Sequence, residues 1–231
     1  MSICVLSPHC DDAAISLGST IHLWTTAGID VRVMTVFAGD PDSTESPSEW
    51  DSTRSQTTAG EVSRVRRHED STALTLLGAR GEWFDLWDDG YTDRSPVDVG
   101  ALAAAIADRI DDGTSLVAPA APLHHPDHRS THEAAMVIAR MGAATLGYRE
   151  LPYWVSTPQW RRPSEPQHWR RSHLTKANRL AKSRALVAYD HEISKFGLKS
   201  RIGMKLESAI DLERLTLLGG QWSEEVHEHL R

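Results

Sequence analysis

The chain has 231 residues, which suits one sizeable hydrophobic core better than two independent ones. Its formal net charge of −7 argues against a general nucleic-acid or membrane-surface role, because both favour an excess of Lys and Arg. Two cysteines fit no disulfide framework, no basic segment precedes the first apolar run, and no run approaches the roughly 18 apolar residues of a spanning helix. We therefore expect a cytoplasmic enzyme or binding domain without a membrane span.

The first 39 residues predict a strand, a helix and a second strand. Ile3 to Leu6 is a short apolar run that ends before Pro8. Apolar residues from Ile15 onward recur at helical spacing, and Gly28 marks the end of the helix. Val31 to Phe37 has the composition of a second strand. This βαβ order predicts an α/β fold with a mostly parallel sheet flanked by helices and a right-handed crossover.

A long polar loop is predicted from Asp40 to Thr58, where Ser, Thr, Asp, Glu and Pro dominate. Loops of this length are uncommon inside compact domains and often cover a site. A mobile surface excursion fits the composition equally well. Trp50 is the one large apolar residue in the loop, so it is the natural anchor in either case.

The rest of the chain alternates between helical and strand-like patterns. Further helices are predicted at residues 62–77, 97–110, 132–141, 174–189 and 206–218. Further strands are predicted at residues 83–87, 116–118 and 153–155. In the helix at 174–189 we expect Leu180 and Leu186 to face inward and Lys182 to take a polar position. The pattern contains no internal repeat.

The second half of the chain is basic. Twelve Lys or Arg residues lie between Arg161 and Lys205, and they form either a wall that receives an anionic substrate or a solvated helix face. We expect a single domain in which residues 1–160 form a core with a metal site. Residues 161–231 would form a basic, mainly helical extension packed on that core.

Metal-ligating side chains follow the first predicted strand. His9 and Asp12, three residues apart across a turn into a helix, can converge on one ion, whereas Asp11 cannot point in the same direction. We predict that His9 and Asp12 are metal ligands and that Asp11 is a general base acting on water. Taken alone, this motif also fits a simple helix cap with solvated carboxylates.

A second cluster, His-Pro-Asp-His at residues 125–128, follows a later predicted strand. The carboxyl ends of parallel strands share one sheet edge, so the two clusters can meet there. We predict that His128 is the third metal ligand and that His125 polarises a carbonyl group. Spacing alone does not exclude His124 and His132 from either role.

These motifs carry a resemblance to a known family. The first runs Pro8-His9-Cys10-Asp11-Asp12-Ala13-Ala14-Ile15-Ser16-Leu17-Gly18, and the second is His125-Pro126-Asp127-His128. Together they resemble the PIG-L/LmbE-like family of metal-dependent N-deacetylases. Arg66-x-x-Glu69, Leu77-Gly78 and Asp88-Asp89-Gly90 agree with that family in order, and the resemblance extends over residues 3 to 140.

The resemblance implies a Rossmann-like fold and Zn²⁺ held by His9, Asp12 and His128, although Fe²⁺ can occupy the same ligands. It implies hydrolysis of an acetamide, typically on an N-acetylglucosamine-type sugar, with Asp11 as base and His125 stabilising the tetrahedral intermediate. It also implies that Arg66 and Asp88 contact the substrate. The expected partner is a small-molecule N-acyl substrate, and a homo-oligomer is left open.

The chain departs from the common family pattern at several positions. Cys10 replaces a commoner Pro, Ala13 replaces Glu, and residues 189–191 lack a Ser-Gln pair that is frequent nearby. A non-sugar amide, such as a thiol conjugate or natural-product intermediate, is therefore the alternative substrate. A non-catalytic Rossmann-like binding domain is a further alternative. A nucleotide-binding protein would need a Gly-rich turn where this chain has two aspartates.

Overall fold

A computed structural model of the chain describes residues 1–53, 55–91, 96–121, 125–151, 153, 168–189 and 213–220. The strands are β1 (Ser2–Ser7), β2 (Asp30–Thr35), β3 (Arg80–Trp83), β4 (Ser115–Pro119), β5 (Thr145–Tyr148) and β6 (Leu215–Gly219). The helices are α1 (Asp12–Thr26), α2 (Ala59–Leu76), α3 (Val99–Ala107), α4 (Pro126–Arg140) and α5 (Lys176–Leu186), with a short 3₁₀ helix at Asp51–Thr53.

The strands of the described residues form one sheet in the order β3-β2-β1-β4-β5-β6. Neighbours from β3 to β5 pair in parallel, and β6 runs antiparallel to β5. The predicted α/β fold with a mostly parallel sheet is therefore confirmed. The strand order reverses beside β1, which pairs with β2 on one side and β4 on the other. Such a reversal opens a crevice at the carboxyl ends of the strands, where open α/β sheets bind ligands.

Side chains of β1 alternate between two apolar clusters, one on each face of the sheet. Ile3 and Val5 pack with buried residues of α1, α2 and α5. Cys4 and Leu6 pack on the other face with buried residues of α3 and α4. Both faces of a mostly parallel sheet are thus covered, which explains why Ile3 to Leu6 of β1 are all apolar rather than alternating with polar residues.

Two helices begin earlier than the apolar periodicity predicts, because their first turns are defined by capping groups. Thr58 Oγ1 accepts from the Glu61 N–H at 3.1 Å, and the Glu61 carboxylate accepts from the Thr58 N–H at 3.3 Å, so this capping box starts α2 at Ala59. His125 caps α4, and Pro126 occupies its first turn. The helix expected from residue 132 therefore includes most of the second histidine cluster.

Two strands lie elsewhere than predicted. β3 ends at Trp83, where the strand at 83–87 was expected to begin, and beyond it Asp85 forms one isolated bridge to Phe37. β5 occupies 145–148, whereas a strand was predicted at 153–155; Tyr153 is not in a strand, and residues 154–155 lie outside the described residues. Both strands have only four residues, too few for a clear periodicity.

The prediction of a terminal helix at residues 206–218 is wrong for the residues of this range that the structure places in a strand. Residues 215–219 form β6, which pairs with β5, while residues 206–212 lie outside the described part. The run Leu-Thr-Leu-Leu is compatible with either conformation by composition. The pairing with a strand about seventy residues earlier in the chain selects the extended form.

In helix α5, two of the three side chains lie on the opposite face from the one predicted. Leu186 is buried as expected, but Leu180 is exposed and Lys182 is fully buried. Lys182 Nζ donates to Glu213 Oε1 at 2.8 Å, and this buried carboxylate draws the lysine inward. The stem of Lys182 crosses α1 at Gly18, where an added Cβ would lie 2.9 Å from the lysine Cγ.

The C-terminal part packs closely on the first half of the chain. α5 contacts α1 and α2 and contributes Ala181, Ala185 and Leu186 to the same apolar cluster as β1. The division of the chain at residue 160 stays a prediction. Among the described residues, no helix has both the length and the apolar character needed to cross a membrane.

Candidate active site

The turn after β1 holds Asp11 in a strained conformation. Its φ of 120° lies in a region that residues other than Gly rarely adopt. The Asp11 side chain does not cap α1; instead Ser7 Oγ accepts from the Ala13 N–H at 3.0 Å and donates to the His9 carbonyl at 2.7 Å. The helix-cap alternative therefore does not apply to Asp11. Strain of this kind persists mainly at functional sites.

His9 lies between two buried carboxylates. Its Nε2 donates to Asp127 Oδ2 at 2.9 Å, and its Nδ1 lies 3.4 Å from Asp12 Oδ2. The His9 backbone N–H also donates to Asp12 Oδ2, at 3.0 Å. Burial alone would lower the pKa of His9, but the hydrogen bonds and charges of Asp12 and Asp127 raise it to about 10.

His128 has the same arrangement on the other side of Asp12. Its Nδ1 donates to Glu150 Oε1, while its Nε2 lies 3.6 Å from Asp12 Oδ2. The Nε2 atom is buried and has no hydrogen-bond partner among the described residues. Burial would lower the pKa of His128, but the charges of Asp12 and Glu150 raise it. A buried polar atom without a hydrogen-bond partner needs an explanation, and a role as metal ligand supplies one.

His9 and His128 therefore share a design that is common around bound metals. Each ring has one nitrogen held by a buried carboxylate and the other directed toward Asp12, which is how ligating histidines are oriented. Burial would raise the pKa of Asp12, but His128 and His9 lower it, which favours its ionised form. Two imidazole nitrogens and one carboxylate oxygen are donors that suit a divalent metal.

His125 lies in the same cluster. One ligand atom each from His9, His125 and His128 lies within 4.8 Å of the others, so His125 competes with Asp12 as third ligand. Its Nδ1 accepts from the Asp127 N–H at 3.3 Å. Burial and the charges of His9 and His128 lower the pKa of His125, which favours the neutral ring. A neutral ring that accepts at Nδ1 carries its hydrogen on Nε2 and can donate there to a substrate oxygen.

The structure separates the remaining candidates and adds two residues. His132 donates from Nδ1 to the Pro119 carbonyl at 2.8 Å, and His124 lies outside the described residues. Asp127 and Glu150 were given no role from sequence. Asp127 was visible within the second motif, whereas Glu150 follows the unpredicted β5 and carried no local signal.

A cavity of about 390 Å³ opens above the histidine cluster. The histidine side of its wall, as we call it, contains His9, Asp11 and His125 from the sheet edge, and the loop side contains Trp50, Arg66 and Asp88. Arg66 Nη1 donates to Asp88 Oδ2 at 2.9 Å, so the two residues expected to contact substrate meet at the cavity as an ion pair. The volume lies within the range of small-molecule sites, about 300 to 1,000 Å³.

The lining of the cavity also indicates the roles of two segments that the sequence left open, the loop from Asp40 to Thr58 and the basic segment from Arg161 to Lys205. Trp50 of the Asp40 to Thr58 loop lines the cavity, which favours a loop that covers the site over a mobile excursion. Within the described part of the basic segment, 168–189, no residue contributes to this wall. The exposed residues of α5 there, including Arg179 and Arg184, fit a solvated helix face.

Comparison with known proteins agrees with this geometry. Residues 4–139 match the profile of the PIG-L family, described as GlcNAc-PI de-N-acetylase. The chain belongs to the PIG-L family. The resemblance inferred from the two motifs is thereby confirmed, and the matched span includes β1 to α4, which carry both histidine clusters.

Several relatives of this PIG-L chain are amide hydrolases by name. It is 27% identical over 161 residues to a mycothiol S-conjugate amidase of Streptomyces coelicolor, covering 63% of this chain and 54% of that protein. The chain thus spans about half the length of this relative. Its fold resembles that of the A40926 pseudoaglycone deacetylase, with a TM-score of 0.73, 26% identity and coverage of 93% and 95% of the two chains.

A second similar structure is that of a deacetylase inhibited by zinc. The zinc-inhibited form of a teicoplanin deacetylase superposes with a TM-score of 0.70 and 25% identity, covering 82% of this chain and 84% of the other. The relatives therefore include both deacetylases and an amidase. All of these activities cleave C–N bonds that are not peptide bonds of proteins.

Proposed function

We propose that the protein is a zinc-dependent hydrolase that removes an acetyl or other acyl group from the amide nitrogen of a small sugar-like substrate. The observation that carries the proposal is the Nε2 of His128, which is buried and has no hydrogen-bond partner in the part of the chain that the structure describes. This atom faces Asp12, while Glu150 holds the opposite side of the ring. His9, Asp12 and His128 would hold the metal. The chemistry that zinc supplies in such a site is Lewis acidity toward water and the amide carbonyl.

Residues of the chain would perform the proton transfers. Asp11 lines the cavity beside His9 and takes a proton from the attacking water as its oxygen bonds to the carbonyl carbon. His125 Nε2–H donates to the carbonyl oxygen as negative charge develops there. Asp11 then passes its proton to the amide nitrogen, the C–N bond breaks, and an amine and a carboxylic acid leave; the acid then ionises in water.

Acetate release from N-acetylated sugars tests this assignment. In the zinc-loaded protein, Asp11→Asn should lower kcat by about 10² to 10⁴ because it cannot accept a proton, while metal content stays that of the wild type. Asp112→Asn is the matched control, since Asp112 is exposed and precedes β4 at the opposite edge of the sheet. Normal turnover by Asp11→Asn would refute the base assignment.

Two further variants test whether Asp12 or His125 is the third metal ligand. We expect Asp12→Ala to lose the metal and His125→Ala to keep it while losing most of its kcat, because His125 would act on the substrate oxygen. Metal content after dialysis, measured by mass spectrometry, decides between them. Loss of metal from His125→Ala alone would reverse the two roles.

A second candidate function is an amidase for a non-sugar amide. The observation in its favour is the similarity to the mycothiol S-conjugate amidase. The residues and proton transfers would be the same, and only the released acid and amine would differ. Assays of acetate and larger acids from a panel of amides, with zinc or Fe²⁺, separate the candidates. Metal binding without hydrolysis of any amide would instead indicate a non-catalytic binding domain.

A further inference from the structure

Trp50 lies at the tip of a tight turn whose two ends are buried. The Asp51 N–H donates to the Ser48 carbonyl at 3.0 Å, and Ser48 Oγ donates to Asp51 Oδ2 at 3.1 Å. Ser48 and Asp51 are buried, whereas Glu49 and Trp50 between them are exposed. The turn therefore projects the indole away from its own support rather than into the core.

The turn is attached to the body of the protein through Asp51. This carboxylate is fully buried; its Oδ1 lies 3.2 Å from Arg66 Nη2, and its Oδ2 accepts from the Tyr91 hydroxyl at 3.3 Å. Arg66 in turn pairs with Asp88 at the cavity wall. A buried ion pair with further hydrogen bonds fixes the position of its partners, so Trp50 is held at a defined place beside the cavity.

The same loop is attached to α2 at a second point. The Gly60 N–H donates to the Ser43 carbonyl at 3.1 Å, and the Ala59 N–H donates to the Glu45 carbonyl at 2.8 Å. The backbones approach so closely that a Cβ on Gly60 would lie 2.5 Å from the Ser43 oxygen. Glycine is therefore required there, and the loop is fixed on both sides of Trp50.

Trp50 combines exposure with a place in the cavity wall. It keeps 46% of its surface accessible and lines the same cavity as His9 and Asp11. Indole presents a large flat apolar surface and loses little conformational entropy when a ligand stacks on it. A tryptophan fixed at the rim of this cavity is therefore suited to binding a ring.

We propose that Trp50 is a specificity-determining residue that stacks on a six-membered ring attached to the amide nitrogen of the substrate. The inference rests on the proposed amide hydrolysis, because it places the amide at His9 and Asp11 and the amine portion across the cavity. The Arg66–Asp88 pair beside the indole offers hydrogen-bonding groups to the edge of such a ring. Linear amides would reach the same catalytic groups without using Trp50.

The test compares amides that differ in the amine portion. N-acetylglucosamine and N-cyclohexylacetamide carry a ring, and N-acetylethanolamine is linear. In the metal-loaded protein, Trp50→Ala should raise KM for the ring amides about five- to fiftyfold, with kcat nearly unchanged and the linear amide unaffected. Trp50→Phe should restore most of the loss. Met141→Ala, which removes another exposed apolar side chain outside the cavity wall, should change nothing.

Equilibrium binding keeps this inference separate from the proposed hydrolysis. In the Asp11→Asn background, calorimetry should show that both ring amides bind more tightly than the linear amide, and that Trp50→Ala removes the difference. Equal binding of ring and linear amides with Trp50 present would overturn the inference. Ring-selective binding in a wild-type protein that hydrolyses no amide would overturn the hydrolase proposal and leave the role of Trp50 standing.

Discussion

The two sides of the cavity are built by different means. On the histidine side, the parallel strands β1 and β4 end at one sheet edge, and buried Asp127 and Glu150 orient the rings. On the loop side, Trp50 precedes a short 3₁₀ helix at Asp51–Thr53, and buried Asp51 ties the turn to Arg66 of α2. The difference suggests a division of work: the sheet edge holds metal and reacting groups, while the loop selects substrates. Variants on the two sides should therefore separate metal binding from KM.

The largest effect is expected from His128→Ala. Because this substitution removes the one ring whose Nε2 is buried without a partner in the described residues, metal affinity should fall by at least about 10³-fold. Calorimetric titration with zinc measures the loss. His132→Ala is the matched control on the same helix, since His132 bonds to a backbone carbonyl instead. An unchanged zinc affinity in His128→Ala would show that the histidine side of the cavity does not bind the metal.

Glu150→Gln should give the next largest effect. Glutamine keeps the size of the side chain but loses the charge that orients His128, so zinc affinity should fall about 10- to 100-fold. A competing fluorescent chelator reports the change. The KM of a fully metal-loaded sample should stay near that of the wild type. A raised KM with normal metal affinity would contradict the proposed separation of the two sides.

Metal affinity should also depend on pH. The pKa of His9 is raised to about 10, so its ring is protonated at pH 7 and must lose that proton before it can bind a metal. Affinity should therefore rise about tenfold per pH unit between pH 7 and 9, and level off as the pH passes the raised pKa. Calorimetry in two buffers of different ionisation enthalpy counts the released protons.

Asp127→Asn provides the control for this pH effect. The substitution removes one of the two carboxylates that raise the pKa of His9, so this pKa should fall. The rise of metal affinity with pH should therefore level off at a lower pH than in the wild type. A plateau at the same pH would show that His9 is not the group that competes with the metal.

The smallest effect is expected on the loop side, from Asp51→Asn. Arg66 keeps Asp88 as a partner, but the turn that carries Trp50 loses its charged attachment. We expect KM for ring amides to rise severalfold while zinc affinity stays within about twofold of the wild type. Asp42→Asn, an exposed position in the same loop, serves as control. Loss of metal from Asp51→Asn would show that the two sides are coupled.

Local patterns were sufficient for the parts of the site that adjoin β1 and β4. The order strand, turn, helix around residues 8–12 needs only neighbouring residues to be recognised, and the βαβ unit follows from it. His125 to His128 were also found from sequence, although α4 begins at Pro126 and not near residue 132. A capping residue and a proline decided that boundary, and apolar periodicity does not report either of them.

Contacts between distant segments account for most of what was predicted wrongly. β6 is a strand because it pairs with β5, and Lys182 is buried because Glu213 lies beneath α5. The same holds for Glu150, which reaches His128 only because β5 lies beside β4 in the sheet. Each of these features depends on a partner that no short window of sequence contains.

The sequence by itself determined the α/β class, the family and the identity of the residues that cluster at the sheet edge. It could do so because strand ends, helix starts and ligand types are encoded by residues close together in the chain. Only the tertiary structure decided which carboxylate holds which histidine, where Asp11 is strained, and that Trp50 faces the cavity. These properties arise from burial and from charges brought together by the sheet order, and a linear pattern contains neither.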